Sequence, residues 1–293
     1  MPVILLGDQA LALIRDIFEK PALFDNLPRI RKRVVAWGPH AAPLTVDHSA
    51  VVVSEEALLE SIRPSLIPAR NTRWTIHAAR PLPAPAVEHR FGSRMASAAP
   101  VIFRDGADPA ACWIESLESG WLFLVPNAPG AGWLLAVGDR PEALLARSQV
   151  IAREIADCRP AAGQFPAFAR IASPLCDADW LACGTAAMAF DPICGDGTAH
   201  AIREAILASA VIRGLARGDP SEGLLWHYEA RLTAALQRHL TLCRQFYISG
   251  GTGALWRSEL EAIDSGILWC GAALGANVSF RYRLRGFELE AVR

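Results

Sequence analysis

The stretch from Cys183 to Ser209, CGTAAMAFDPICGDGTAHAIREAILAS, constrains this chain more than any other. An apolar run meets Asp191-Pro192, then Gly195-Asp196-Gly197, and passes at once into an Ala-rich pattern with helical spacing. Proline biases the residue before it away from the helix, and glycine reaches backbone angles closed to other residues, so the chain turns here. A helix that opens straight out of such a turn leaves its first N–H groups without intrahelical partners. With the positive end of the helix dipole, those groups make a place for an anion or a polarised carbonyl. The plain reading is a turn and a helix cap, and Asp196 suits that role as well as a ligand-binding one.

A chain of 293 residues can bury a large core and fill two subdomains. Hydrophobic residues make up 52% and charged residues 20%, the balance of a folded protein. A net charge of −1 gives no electrostatic reason to bind nucleic acid. No apolar run reaches the length of a membrane span, and the start MPVILL lacks the basic flank and cleavage site of a signal peptide. The seven cysteines, Cys112, Cys158, Cys176, Cys183, Cys194, Cys243 and Cys270, are scattered and never spaced as C-x-x-C. The expectation is a cytoplasmic protein with reduced thiols, no disulfide frame and no metal site. Cys194, beside Gly195 near a helix start, reads as small-residue packing, with a lowered thiol pKa as the sharper alternative. His200 lies one turn into the helix, as an acid–base candidate or a structural residue. His227 and His239 are about three turns apart on one helix, too far for one metal.

Residues 3–7 read as a short strand, and Asp8 as the cap of a helix running to about Lys20. Val34 to Trp37 and Val51 to Val53 read as strands, with Ser54 capping a short helix. From Thr72 to Gly138 the pattern is strand-rich. Trp74 to Ile76, Val101 to Phe103, Cys112 to Leu117, Trp121 to Val125 and Trp133 to Val137 alternate or run apolar between turn signals, which predicts an antiparallel sheet. Asp139-Arg140-Pro141-Glu142 predicts a helix running to about Cys158, and Arg159 to Pro174 reads as loop-rich. Helices are predicted from about Thr198 to Leu215 and, after Asp219-Pro220-Ser221-Glu222, to about Tyr247; the tail from Val278 to Val292 reads as extended.

Phe190 to Gly197, followed by a small-residue helix, resembles the flavin-proximal motif of the FAD-dependent monooxygenases of the p-hydroxybenzoate hydroxylase fold group. That group includes geranylgeranyl-reductase-like and tryptophan-halogenase-like branches. In such proteins a D-P-x-x-G-x-G-like loop lies against the isoalloxazine ring, and the helix behind it stabilises negative charge on reduced flavin. Gly120 to Pro126, GWLFLVP, resembles the G-W-x-W-x-I-P stretch of the halogenase-like branch, with Phe123 in place of the second Trp. Related reductases carry a similar strand, so it marks the fold group rather than halogenation. The resemblance spans roughly residues 100 to 217.

The resemblance implies a mixed α/β (α+β) FAD-linked reductase fold, incomplete at its N-terminus. Residues 1–71 and 159–217 would be a remnant FAD-binding domain, 72–158 an antiparallel substrate-domain sheet and 218–293 a helical C-terminal region. FAD is the implied cofactor, with Gly184, Thr185, Asp191, Pro192, Gly195, Asp196, Gly197 and Thr198 as its binding residues. Trp121 and Phe123 share one face of a strand and are substrate-pocket candidates, although such a face is more often core. The implied activity is a flavin-dependent oxidation of a small-molecule or protein-bound aromatic substrate, with no nucleic acid or membrane partner. No side chain stands out as catalytic acid or base. A halogenase is the lesser alternative: that branch's catalytic lysine falls in a stretch with no alignable counterpart here, and the only lysines are Lys20 and Lys32.

Three departures weigh against full FAD binding. No G-x-G-x-x-G follows a strand anywhere, and Leu6-Gly7-Asp8 is a faint echo of it. The family's Gly-Asp before the flavin loop is Gly184-Thr185 here, which lacks the carboxylate. The middle Asp-Gly motif has no counterpart better than His77 to Arg80. Either the chain starts late, or it is a diverged, non-catalytic homologue that binds a small molecule or a protein without FAD.

Overall fold

The computed structural model describes residues 3–63, 73–275 and 280–292. In chain order its strands are β1 (Val3–Gly7), β2 (Arg29–Ala36), β3 (Leu44–Ser54), β4 (Thr75–His77), β5 (Val87–Phe91), β6 (Met95–Phe103), β7 (Ala111–Leu117), β8 (Gly120–Ala128), β9 (Ala131–Val137), β10 (Ile155–Cys158), β11 (Gln164–Pro166), β12 (Ala169–Ser173), β13 (Cys176–Asp177), β14 (Trp180–Ala182), β15 (Met188–Ala189), β16 (Tyr282–Arg285) and β17 (Glu288–Ala291). The helices are α1 (Asp8–Ile17), α2 (Glu55–Ile62), α3 (Pro141–Leu145), α4 (Ile151–Glu154), α5 (Gly197–Arg217), α6 (Ser221–Gly250) and α7 (Ala254–Leu274). Met1, Pro2, Thr72 and Val278, which open or bound sequence expectations above, lie outside the described residues.

The chain forms two compact units. The first combines Met1–Leu66, Ser93–Ala167 and Arg244–Glu261. Its nine-stranded sheet runs β1-β3-β2-β7-β8-β9-β6-β10, with β11 also paired to β6. Every pairing is antiparallel except β2 with β7. Period-2 alternation gives each strand two apolar faces. Trp113, Leu122, Leu124, Leu134 and Ala136 pack on one face with Leu144 of α3 and Ile151 of α4. Cys112, Val125, Val3, Ile30 and Ala50 form the other, with Phe123 and Trp133 against them. The antiparallel sheet is therefore present, but it also takes in β1, β2 and β3. These three strands join it through the parallel β2–β7 ladder.

Gly120 opens β8 at φ +153°, where a Cβ would sit 2.0 Å from the Val137 carbonyl oxygen. The glycine of GWLFLVP is thus required by the approach of β8 to β9, a demand of the fold itself.

The single helix expected from Asp139 to Cys158 is a correction. The chain makes α3, breaks, makes one turn of α4 and then enters β10. The cause is Glu115 of β7, buried at 4% exposure. Its carboxylate accepts from Ser148 Oγ (2.5 Å), Gln149 N (2.7 Å) and Ile151 N (3.0 Å), with Val150 N at 3.2 Å. An acceptor that gathers the N–H groups of a first turn starts a new helix there. Ser54 caps α2 as expected, accepting from Ala57 N at 3.0 Å. At α1 the cap position is Gly7, and Asp8 is the first helical residue, ion-paired with Arg29.

The second unit combines Ile67–Gly92, Phe168–Cys243 and Ala262–Arg293. It holds two small sheets, β15-β12-β5 and β13-β14-β4, the hairpin β16-β17, α5, most of α6 and the second part of α7. Within 159–174, read as loop, β11 and β12 form; β12 pairs with β5 over Ala169 to Ser173. The sequence pattern did not mark α7, although the C-terminal region is helical as expected.

Candidate functional site

Gly184 to Thr198 lies wholly in the second unit. After β14, Cys183 N donates to His77 O (2.9 Å), and Gly184 to Ala186 makes a single 3₁₀ turn. Gly184 N donates to Glu204 Oε2 at 2.9 Å. Glu204 projects from α5 and is 6% exposed. Burial pushes its carboxyl up to about 8 against the pull of the Gly184 N–H, so it is largely protonated at neutral pH. Thr185 Oγ1 donates to Ala78 O at 3.4 Å. The hydroxyl is engaged with the chain's own backbone.

The loop proper is built by Asp191. It is 2% exposed, its Oδ1 accepts from Ile193 N (2.9 Å), and its N–H donates to His239 Nε2 of α6 (2.8 Å). The Asx cap with Pro192 at the first position fixes a 3₁₀ turn over Pro192 to Cys194. Gly195 closes it in the left-handed region at φ +67°. No heavy atom comes within 4 Å of where a Cβ would stand at Gly184, Gly195 or Gly197. The loop therefore shows a bare, open backbone edge.

Asp196 is the N-cap of α5, but its side chain makes no capping hydrogen bond. Its Oδ2 instead meets His200 Nε2 at 2.8 Å. Burial raises the Asp196 carboxyl, and the hydrogen bond and charge of His200 outweigh that, leaving it below the ordinary value. His200 stacks on Phe190 at 4.2 Å, and Phe190 sits edge-on to His239 at 4.7 Å. The first N–H groups of this 21-residue helix thus have no side-chain cap from Asp196.

The same loop reaches α6 through sulfur. Cys194 Sγ lies 3.7 Å from Cys243 Sγ, which lies 3.3 Å from His239 Nε2. The hydrogen bond from Cys243 holds the Cys194 thiol down at about 6, against its burial and with help from His239. Spacing alone argued against a metal. Folding brings together a residue pair 49 positions apart with one that is four positions apart.

Trp121, Phe123, Lys20 and Lys32 lie in the first unit. Trp121 is buried, its indole N–H donates to Tyr247 Oη at 3.4 Å, and its ring lies 6.5 Å from Trp37. Phe123 is half-buried under the Arg33 guanidinium, 5.9 Å from its ring centre. Lys20 donates to Ser61 O, and Lys32 pairs with Asp108 at 3.3 Å. Glu204, His239 and Cys243 were missed as site residues. The His-x-x-x-Cys spacing on one helix was the available signal for the last two.

A scan against protein-family models finds no match, and no curated protein matches in sequence. Solved structures do match. The peptidyl tryptophan dihydroxylase QhpG, essential for tryptophylquinone cofactor biogenesis, aligns with 100% of this chain and 78% of its own, at TM-score 0.73 and 17% identity. The myxobacterial chondrochloren halogenase CndH, a variant of the FAD-dependent halogenases, aligns with 85% and 74%, at TM-score 0.68 and 14% identity. HpxO of Klebsiella pneumoniae, complexed with FAD and uric acid, aligns with 94% and 88%, at TM-score 0.56 and 13% identity. The chain has the fold of FAD-dependent halogenases and monooxygenases, as the motifs at 120–126 and 190–197 implied. Among the described residues, no helix is long and apolar enough to cross a membrane.

Proposed function

We propose that this chain is a flavin-dependent oxidoreductase of the monooxygenase type that receives the isoalloxazine end of FAD on Gly184 to Thr198. One observation carries the reading. The uncapped N-terminus of α5 stands beside the open, side-chain-free positions of Gly195 and Gly197. A flat ring could approach backbone there, and the N–H donors at the helix start would stabilise negative charge that develops on reduction. Asp191 and Pro192 hold the loop in shape, and the Gly195, Gly197 and Thr198 backbone faces the ring. Asp196, beside that edge, is engaged by His200 Nε2.

FAD, when bound, supplies hydride transfer or oxygen activation; the chain's own residues bind, orient and exclude water. Glu204, protonated, keeps Gly184-Thr185 in register without adding charge near the ring. The residues present fit the ring end of FAD and do not fit its pyrophosphate. At Gly7-Asp8, the one strand-to-helix turn with a glycine near the expected place, an acidic side chain occupies the first turn of α1. The substrate we propose is aromatic, free or protein-bound. The support is the tryptophan substrate in the name of QhpG and the uric acid bound by HpxO.

The test is flavin binding by fluorescence quenching, with FAD, FMN and riboflavin compared. All three are expected to bind with similar affinity, because the ring carries the contact. Gly195→Val should weaken each at least about tenfold with unchanged circular dichroism, since a β-branched residue at positive φ both strains and fills the loop. Absence of binding by all three would leave the flavin-free homologue as the reading.

A further inference from the structure

We propose that Cys194, His239 and Cys243 form a binding site for a thiophilic cation, zinc(II), that clips the 191–197 loop to α6. The three ligand atoms lie within 4.8 Å of one another, and they are the one group of three such residues found among the described residues. The Cys194–Cys243 and Cys243–His239 distances are close to those of a coordination tetrahedron. With Zn–S of ~2.3 Å and Zn–N of ~2.0 Å, tetrahedral angles place two sulfurs about 3.7 Å apart and sulfur and nitrogen about 3.5 Å apart. The observed spacings are 3.7 Å for the two sulfurs and 3.3 Å for Cys243 Sγ to His239 Nε2.

Two ligands come from successive turns of one helix and the third from a loop whose conformation Asp191 and Gly195 fix. The triad is therefore held by two separate elements. Two thiolates and an imidazole select a borderline-soft cation over calcium or magnesium, which take oxygen. His239 and Cys243 are buried, whereas Cys194 is partly exposed and gives the ion a path in. Three protein ligands leave a fourth position for water or a small anion.

Binding exchanges groups in a defined way. Zinc(II) takes both sulfurs as thiolates, any thiol proton still present passing to solvent, with no change of oxidation state. At His239 the Nε2 lone pair now accepts the Asp191 N–H, so the ion replaces one neutral hydrogen bond with a coordinate bond and frees that N–H.

The experiment uses the full chain, reduced, chelator-treated and free of flavin, so its outcome is independent of the flavin reading. Cobalt(II) is added first, and zinc(II) is then titrated in competition with a chromophoric chelator. The expected result is one equivalent bound, with a cobalt spectrum showing charge-transfer absorption from two thiolates and displacement by zinc. Cys194→Ala and Cys243→Ala should each lower zinc affinity by at least about 100-fold, while Cys158→Ala, half-buried in the first unit, leaves it unchanged. If Cys243→Ala fails to fold, the partly exposed Cys194→Ala and the intensity of the wild-type cobalt band still decide the matter. Absent or substoichiometric binding overturns the proposal, as does thiolate absorption that survives Cys194→Ala. A Cys194–Cys243 disulfide in place of metal binding, seen as a mass lower by about 2 Da, overturns it as well.

Discussion

Glu115 of the first unit and Glu204 of the second are both buried carboxylates that accept from backbone amides, yet their surroundings differ in one respect. Glu115 collects Ser148 Oγ and the N–H groups that start α4, while Glu204 has Gly184 N alone among its described donors. Several donors replace the water a carboxylate loses on burial; one does not, and the Glu204 proton stays on to about pH 8. Glu115 builds structure by organising a helix start. Protonated Glu204 holds a turn without bringing charge into the candidate site.

The difference can be broken by substitution. Glu115→Ala strands the donors that open α4 and should cost about 5 kcal/mol in urea unfolding. Glu115→Gln should recover little, because its amide NH₂ faces donors.

Glu204→Gln should act in the opposite sense. A folded pKa raised to about 8 means the wild-type side chain contributes most below its unfolded value of 4.5, and that contribution is lost as pH rises through 8. Wild-type stability should fall by about 3–5 kcal/mol across that window, and Glu204→Gln should flatten the fall in denaturation curves collected from pH 5 to 8.5.

His227 of α6 is 1% exposed and sits among the rings of Phe280 and Tyr282. Burial, then the charge of Arg231, lowers its pKa to about 4. Its contribution is present above 6.5 and lost as pH falls through 4, a loss of about 3 kcal/mol. Between pH 4.5 and 6.5 the two residues have opposing slopes. His227→Phe should therefore uncover the Glu204 slope at acid pH, where wild type is nearly flat. Smallest in the series, Ser54→Ala removes the α2 cap in the first unit and should cost about 1 kcal/mol with no pH dependence in this range.

What the sequence disclosed, it disclosed through local chemistry. Ser54 as a cap, the Asp191-Pro192 turn, the starts of α5 and α6 and the alternating strands of β7, β8 and β9 are all decided by residues within a few positions of one another. Long-range partners hid the rest. The break after α3 depends on Glu115, at a separation of 33 to 36 positions, and no pattern within Asp139 to Cys158 carries it. The membership of β1, β2 and β3 in the main sheet rests on the parallel β2–β7 ladder. In the candidate site the loop and helix start were legible, but Asp191 N–H finding His239 was not, nor Cys194 finding Cys243.

Each unit is assembled from three separate stretches of chain, and both α6 and α7 pass from one unit to the other within the helix. During synthesis this fixes an order of events. Trp121 and Trp37 leave the ribosome early, but Trp256, whose ring meets Trp37 at 5.7 Å and whose indole N–H reaches Leu117 O, follows Leu117 by 139 positions. At about 5–20 residues per second, the emerging sheet waits roughly 7 to 28 seconds for that ring. A nascent chain stalled before Trp256 should expose the indole faces of Trp37 and Trp121, and be the form most in need of a chaperone.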